Sequence, residues 1–77
     1  MTADADDVLA VRVHGDRLAV SGSPVLMKRL RARLLDTGFH WVSDERSYIS
    51  RGRARVVLPK LRRALADARG VRIDWPG

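Results

Sequence analysis

The feature that most restricts what this chain can become is a change of hydrophobic period at Gly22-Ser23-Pro24. Before it, Leu9, Val11 and Val13 alternate with Ala10, Arg12 and His14, and Leu18 and Val20 alternate with Arg17, Ala19 and Ser21. A period of two belongs to strands with one buried face. Gly15-Asp16 suits a two-residue hairpin turn, which sets Val13 opposite Leu18 and Val11 opposite Val20 and makes one face wholly apolar. After the change, Leu26, Met27, Leu30 and Leu34 recur at helical spacing. Ser23 is the expected N-cap, Pro24 sits at the first helical position where its missing N–H costs nothing, and Gly38 supplies the stop. Lys28, Arg29, Arg31 and Arg33 fall mostly on the opposite side of this helix.

The second half repeats the plan. Phe39–Val42 and Ser47–Ser50 read as strands joined by a turn at Ser43-Asp44-Glu45-Arg46. Arg51-Gly52-Arg53-Ala54-Arg55 is a basic connector whose end is compatible with strand through Val57. Pro59 marks the first turn of a second helix carrying Leu61, Ala64, Leu65 and Ala68 and stopped at Gly70, and Val71–Trp75 alternates as a closing strand. A shift of 32 places superposes Val25 on Val57, Leu26 on Leu58, Lys28 on Lys60 and Gly38 on Gly70. The expected architecture is α+β: a single domain over residues 8–77, built of two ββα units plus a short C-terminal strand. Its mostly antiparallel sheet is covered by two helices on one face, leaving the other for a partner. The acidic residues 1–7 are expected to be disordered. Periodicity alone does not choose which sheet face the helices cover.

Seventy-seven residues give one small core, with about 60% of the unfolded surface buried. Such a core leaves little room for an enzyme pocket. No cysteine is present, so disulfides and thiolate metal sites are excluded and a reducing cytoplasm is the expected compartment. The start Met1-Thr2-Ala3-Asp4-Ala5-Asp6-Asp7 lacks the basic, then apolar, character of a signal peptide. No run approaches the roughly 20 apolar residues of a membrane span. Charge is segregated: four aspartates against one arginine precede residue 17, and fourteen bases against five acids follow. Arginine in place of lysine is what GC-rich coding produces, but coding bias does not explain the excess over acids. A polyanionic partner does.

Catalytic signatures are missing. The sequence holds no phosphate-binding glycine loop ending in Lys-Ser/Thr, no G-x-S-x-G elbow and no H-E-x-x-H. His14 and His40 lie in different hairpins, and Asp44 and Glu45 sit in a turn where acids are common, so neither metal, cofactor nor acid–base chemistry is expected. The basic residues form three clusters: Lys28, Arg29, Arg31 and Arg33; then Arg51, Arg53 and Arg55; then Lys60, Arg62 and Arg63. Arginine's planar fork donates two parallel hydrogen bonds to phosphate. A single helix arginine more often only solvates an outer face. The connector, with arginines at alternate positions around Gly52, suits a phosphate track better. Phe39, Trp41 and Tyr48 share one sheet face; Phe39 and Trp41 are expected in the core, and Tyr48 is the candidate for a partner-facing ring that stacks on an unpaired base.

The run Leu34-Leu35-Asp36-Thr37-Gly38-Phe39-His40-Trp41, followed by a charged turn and Tyr48, resembles the pattern of small HARP-like modules attached to DNA-remodelling ATPases. The order ending in Leu58-Pro59, a helix, Gly70 and Val71–Trp75 is similar to N-terminal DNA-binding accessory domains of superfamily-two helicases. Those patterns carry a further aromatic where this chain has Ile49 or Ser50, and no ATPase motif follows within the 77 residues. The resemblance implies backbone binding of duplex, forked or branched DNA and a larger ATPase chain as partner. The expected function is therefore a non-catalytic, cytoplasmic DNA-binding module in which Lys28, Arg31, Arg51, Arg53, Arg55, Lys60 and Arg63 contact phosphates and Tyr48 a base. The alternative is a protein-interaction or regulatory module using the free sheet face or the C-terminal strand, for which Ile73 and Trp75 would matter.

Overall fold

A computed structural model describes residues 8–76. Residues 1–7, expected to be disordered, lie outside the described residues, as does Gly77. The elements run β1 (Val8–His14), β2 (Arg17–Ser21), α1 (Pro24–Asp36), β3 (Phe39–Val42), β4 (Ser47–Ser50), α2 (Ala54–Ala64) and β5 (Arg72–Asp74). They form one five-stranded sheet of order β3-β4-β2-β1-β5, antiparallel except where β5 lies parallel to β1. The expected α+β class, the two ββα units and the short final strand are all present.

Local chemistry accounts for the first unit. Gly15 has φ +67°, while Asp16 keeps a negative φ, the arrangement of a two-residue turn with glycine first. The register follows: Val11 faces Val20 and Val13 faces Leu18. The Ser23 hydroxyl accepts from the Leu26 N–H at 3.2 Å and Pro24 opens α1. At the other end Gly38 adopts φ +95°, a conformation that terminates the helix at no steric cost. Leu26, Met27, Leu30 and Leu34, the stripe read from periodicity, are the four buried residues of α1.

Both helices pack on the same sheet face. One buried cluster joins Leu9, Val11, Leu18 and Val20 of the first hairpin and Phe39 and Tyr48 of the second to the inward residues of α1 and to Val57 and Leu61 of α2. The opposite face carries Ala10, Arg12, Ala19 and His40, and among the described residues no helix crosses it. The two hairpins meet through β2 and β4, where Ala19 pairs with Ile49 and Val20 with Tyr48. Ser50 reinforces that junction. Its fully buried hydroxyl accepts from the Leu18 N–H at 2.9 Å and donates to the Gly52 carbonyl at 2.7 Å.

The second helix departs from expectation in three ways. The chain does not remain extended through Val57: α2 begins at Ala54, so Arg53 is its N-cap and Arg55 lies in its first turn. The Ala54 N–H donates to the Asp16 carbonyl at 2.7 Å, which ties the helix start to the β1–β2 turn. Pro59 consequently falls inside the helix rather than in its first turn, and the helix ends at Ala64, short of Ala68. Burial also corrects the 32-place repeat. Val25 is exposed where Val57 is buried, whereas an offset of 31 matches Leu26 with Val57, Leu30 with Leu61 and Leu34 with Leu65.

Candidate functional site

The side of α1 that carries Pro24, Lys28, Arg31 and Leu35 follows the i, i+4, i+7, i+11 spacing of one helical face. That face borders an open cleft of about 1000 Å³, closed on its other side by the β3–β4 hairpin. Trp41 and Tyr48 are cross-strand partners on the core side of the sheet, and both reach the cleft. Their rings meet edge to face, 5.1 Å between centroids at 66°. This geometry favours aromatic pairs because the positive edge of one ring meets the negative face of the other.

The two rings exchange the roles expected of them. Tyr48 is only 6% exposed and belongs to the core, whereas Trp41 is 46% exposed. The cause is position. Tyr48 lies on β4, flanked by β2 and β3, whereas Trp41 lies on the edge strand β3, next to the turn and beyond the reach of α2. Phe39, at the other end of β3, is buried as expected. Met27 and Leu35 complete the apolar lining, and Lys28, Arg31 and Arg46 supply the charge. Asp44 and Glu45 share the turn with Arg46 but do not line the cleft. Sequence reasoning missed both Trp41 and Arg46. The alternation that put Trp41 on the core face carried no information about where α1 ends its cover, and Arg46 was one more polar turn residue.

The remaining predicted cations lie elsewhere. Arg53 and Arg55 line a smaller depression of about 340 Å³ with Val13, Gly15 and Asp16, at the start of α2. Arg51 stands just before it, exposed, its N–H bound to the Gly38 carbonyl at 2.8 Å. Lys60 and Arg63 are exposed on α2 and line neither hollow. Two residues of the sequence clusters have structural duties. Arg33 donates to the Ala64 carbonyl at 3.0 Å and to the Asp67 carboxylate, joining α1 to the end of α2. The hydrogen bond from Arg33, with its charge, holds the Asp67 carboxyl below its ordinary value. Arg62 lies over the Trp75 ring at 4.8 Å, a cation–π contact that pins the C-terminal segment.

Among the described residues, Arg17 with Asp16 and Arg33 with Asp67 are the ion pairs. Lys28, Arg31, Arg46, Arg51, Arg53, Arg55, Lys60 and Arg63 are exposed and have no carboxylate within 4.0 Å among those residues. No three His, Asp or Glu side chains among the described residues are grouped to hold a metal ion. No helix among them is long and apolar enough to cross a membrane. No family model, curated protein or solved structure matches the chain.

Proposed function

We propose that this domain is a non-catalytic nucleic-acid-binding module that holds DNA by its sugar–phosphate backbone, with little sequence preference, as the accessory domain of a helicase or other DNA-processing protein. One observation carries the reading: Lys28, Arg31 and Arg46, exposed and not neutralised by any described carboxylate, converge on a cleft whose wall is aromatic. Phosphate is the anion best matched to such a rim. Arginine binds it bidentately, and each phosphate neutralised releases condensed counterions. Neither cleft wall presents Asn or Gln, the residues that read adenine edges, so the cleft's cations are assigned to phosphates. Arg51, Arg53 and Arg55 supply a second candidate contact region around the start of α2, and Lys60 and Arg63 are exposed further along that helix.

The interaction alternative through the C-terminal strand would use the backbone of β5, which lies at an edge of the sheet. Ile73 and Trp75 pack against the core, and Trp75 lies beneath Arg62.

The test is a salt titration of DNA affinity between about 50 and 200 mM. Several phosphate contacts give a steep log–log dependence, with a slope of about 0.9 per phosphate. Replacing Lys28, Arg31 and Arg46 together with alanine is expected to flatten the slope by two to three contacts, on the order of 2 to 3 in log–log slope. Replacing Arg51, Arg53 and Arg55 measures the second region separately. Absence of binding at 50 mM salt, or affinity indifferent to salt, overturns the proposal.

A further inference from the structure

We infer that the cleft between α1 and the β3–β4 hairpin takes an unpaired base of single-stranded DNA, stacked on Trp41, with the neighbouring phosphates held by Lys28, Arg31 and Arg46. This rests on the nucleic-acid reading above and narrows it from backbone binding in general to strands whose bases are open.

The argument begins with the unusual placement of Trp41. A 77-residue chain with four aromatic residues has few large side chains to fill its core, and Trp41 alternates in phase with the buried Phe39, yet nearly half of its surface faces water. The buried Tyr48 packs against its ring edge to face. A half-exposed indole at the wall of a cleft, in contact with a buried ring, leaves aromatic surface that a flat ligand can cover. Met27 and Leu35, on the facing α1 wall, are apolar as well, which suits the edge of a flat ring and offers nothing to a carboxylate.

Charge then selects among flat ligands. The rim carries three cations and no acid. Lys28 and Arg31 are one helical turn apart on α1, and Arg46 stands across the cleft in the turn. An occupant must therefore be aromatic at its centre and anionic on both sides, as a nucleotide within a strand is. Duplex DNA does not satisfy this, since each base in the stack has its faces covered by its neighbours; only an unpaired base can lay its face on Trp41. An acidic peptide meets the rim but not the indole.

The experiment compares four probes at 100 mM salt: a twelve-nucleotide oligo-dT, an abasic strand of the same length, a twelve-base-pair duplex, and poly-glutamate of matched charge. Oligo-dT is expected to bind most tightly, with the abasic strand weaker by about 5- to 150-fold, the range for loss of base–aromatic stacking. Trp41→Leu should bring oligo-dT down to the abasic level, while Trp41→Phe, which keeps a π-face, should restore most of the difference. Leucine rescuing as well as phenylalanine would show that Trp41 only fills space, and would overturn the inference. Equal binding of oligo-dT, abasic strand and duplex, with a steep salt slope, would also overturn it while leaving the backbone reading standing. No binding by any nucleic acid would remove both. Poly-glutamate binding as tightly as oligo-dT, with the same Trp41 dependence, would transfer the cleft to an acidic protein partner.

Discussion

Arg46 has φ +50°, in the left-handed region that a side chain with a Cβ enters only at a cost of roughly 1–2 kcal/mol. The turn holds it there through the Arg46 N–H bound to the Ser43 carbonyl at 3.2 Å and the Ser47 hydroxyl bound to the Glu45 carbonyl at 2.9 Å. Glycine would relieve the strain, although its extra freedom in the unfolded chain takes back about 0.4–1 kcal/mol. Arg46→Gly is therefore expected to stabilise the domain by about 0.5–1 kcal/mol, seen as a higher denaturation midpoint, while weakening DNA binding and lowering the salt slope by about 0.9. If the same variant binds DNA unchanged, Arg46 does not touch phosphate. This is the scale at which the sequence was hardest to read. Ser50 looked like an ordinary strand residue, yet its hydroxyl serves both β2 and the connector. Its role depends on strand β2, some 30 positions away, and no local pattern reports that.

Alternation and turn chemistry made both hairpins legible with their boundaries and register, and Ser23-Pro24 with Gly38 delimited α1, because each of these signals acts within a few residues. The start of α2 was not legible for an equally physical reason. Val56-Val57 is β-branched and favours strands, and Pro59 is commonest in a helix's first turn. Tertiary contacts override both preferences. Val57, Leu61 and Leu65, four residues apart, share the core-facing side only if the chain is already helical at Val57, and the Asp16 carbonyl meets the Ala54 N–H at the helix start. Pro59 is left in the helix interior, where it cannot donate to the Arg55 carbonyl and crowds it. Proline costs about 3 kcal/mol relative to alanine in a helix interior, partly offset by the stiffer unfolded chain it gives. Because Pro59 is exposed and lines neither hollow, Pro59→Ala is expected to raise stability by about 1–2 kcal/mol without changing DNA affinity. A loss of stability in urea denaturation would mean that the proline shapes α2 in a way the core requires.

At the scale of the whole molecule, a formal charge of +6 on 77 residues should make folding and binding respond to salt with opposite signs. The compact state crowds cations together, and the two ion pairs among the described residues, both exposed, offset little of that repulsion. Screening should therefore raise the thermal midpoint of the free domain as NaCl increases from about 50 to 300 mM, over which range the Debye length falls from well above to below about 10 Å. A bound strand reverses the trend. A ligand at a hundred times its dissociation constant adds about 2.7 kcal/mol to stability, which for a domain of this size is on the order of 10 °C or more. That increment should shrink as salt weakens the complex. Melting curves with and without oligo-dT should therefore converge at high salt, the free one rising and the bound one falling towards it. If the free domain loses stability as salt is added, its exposed cations are engaged in attractive pairs within the fold, and they are then not available to a phosphate backbone.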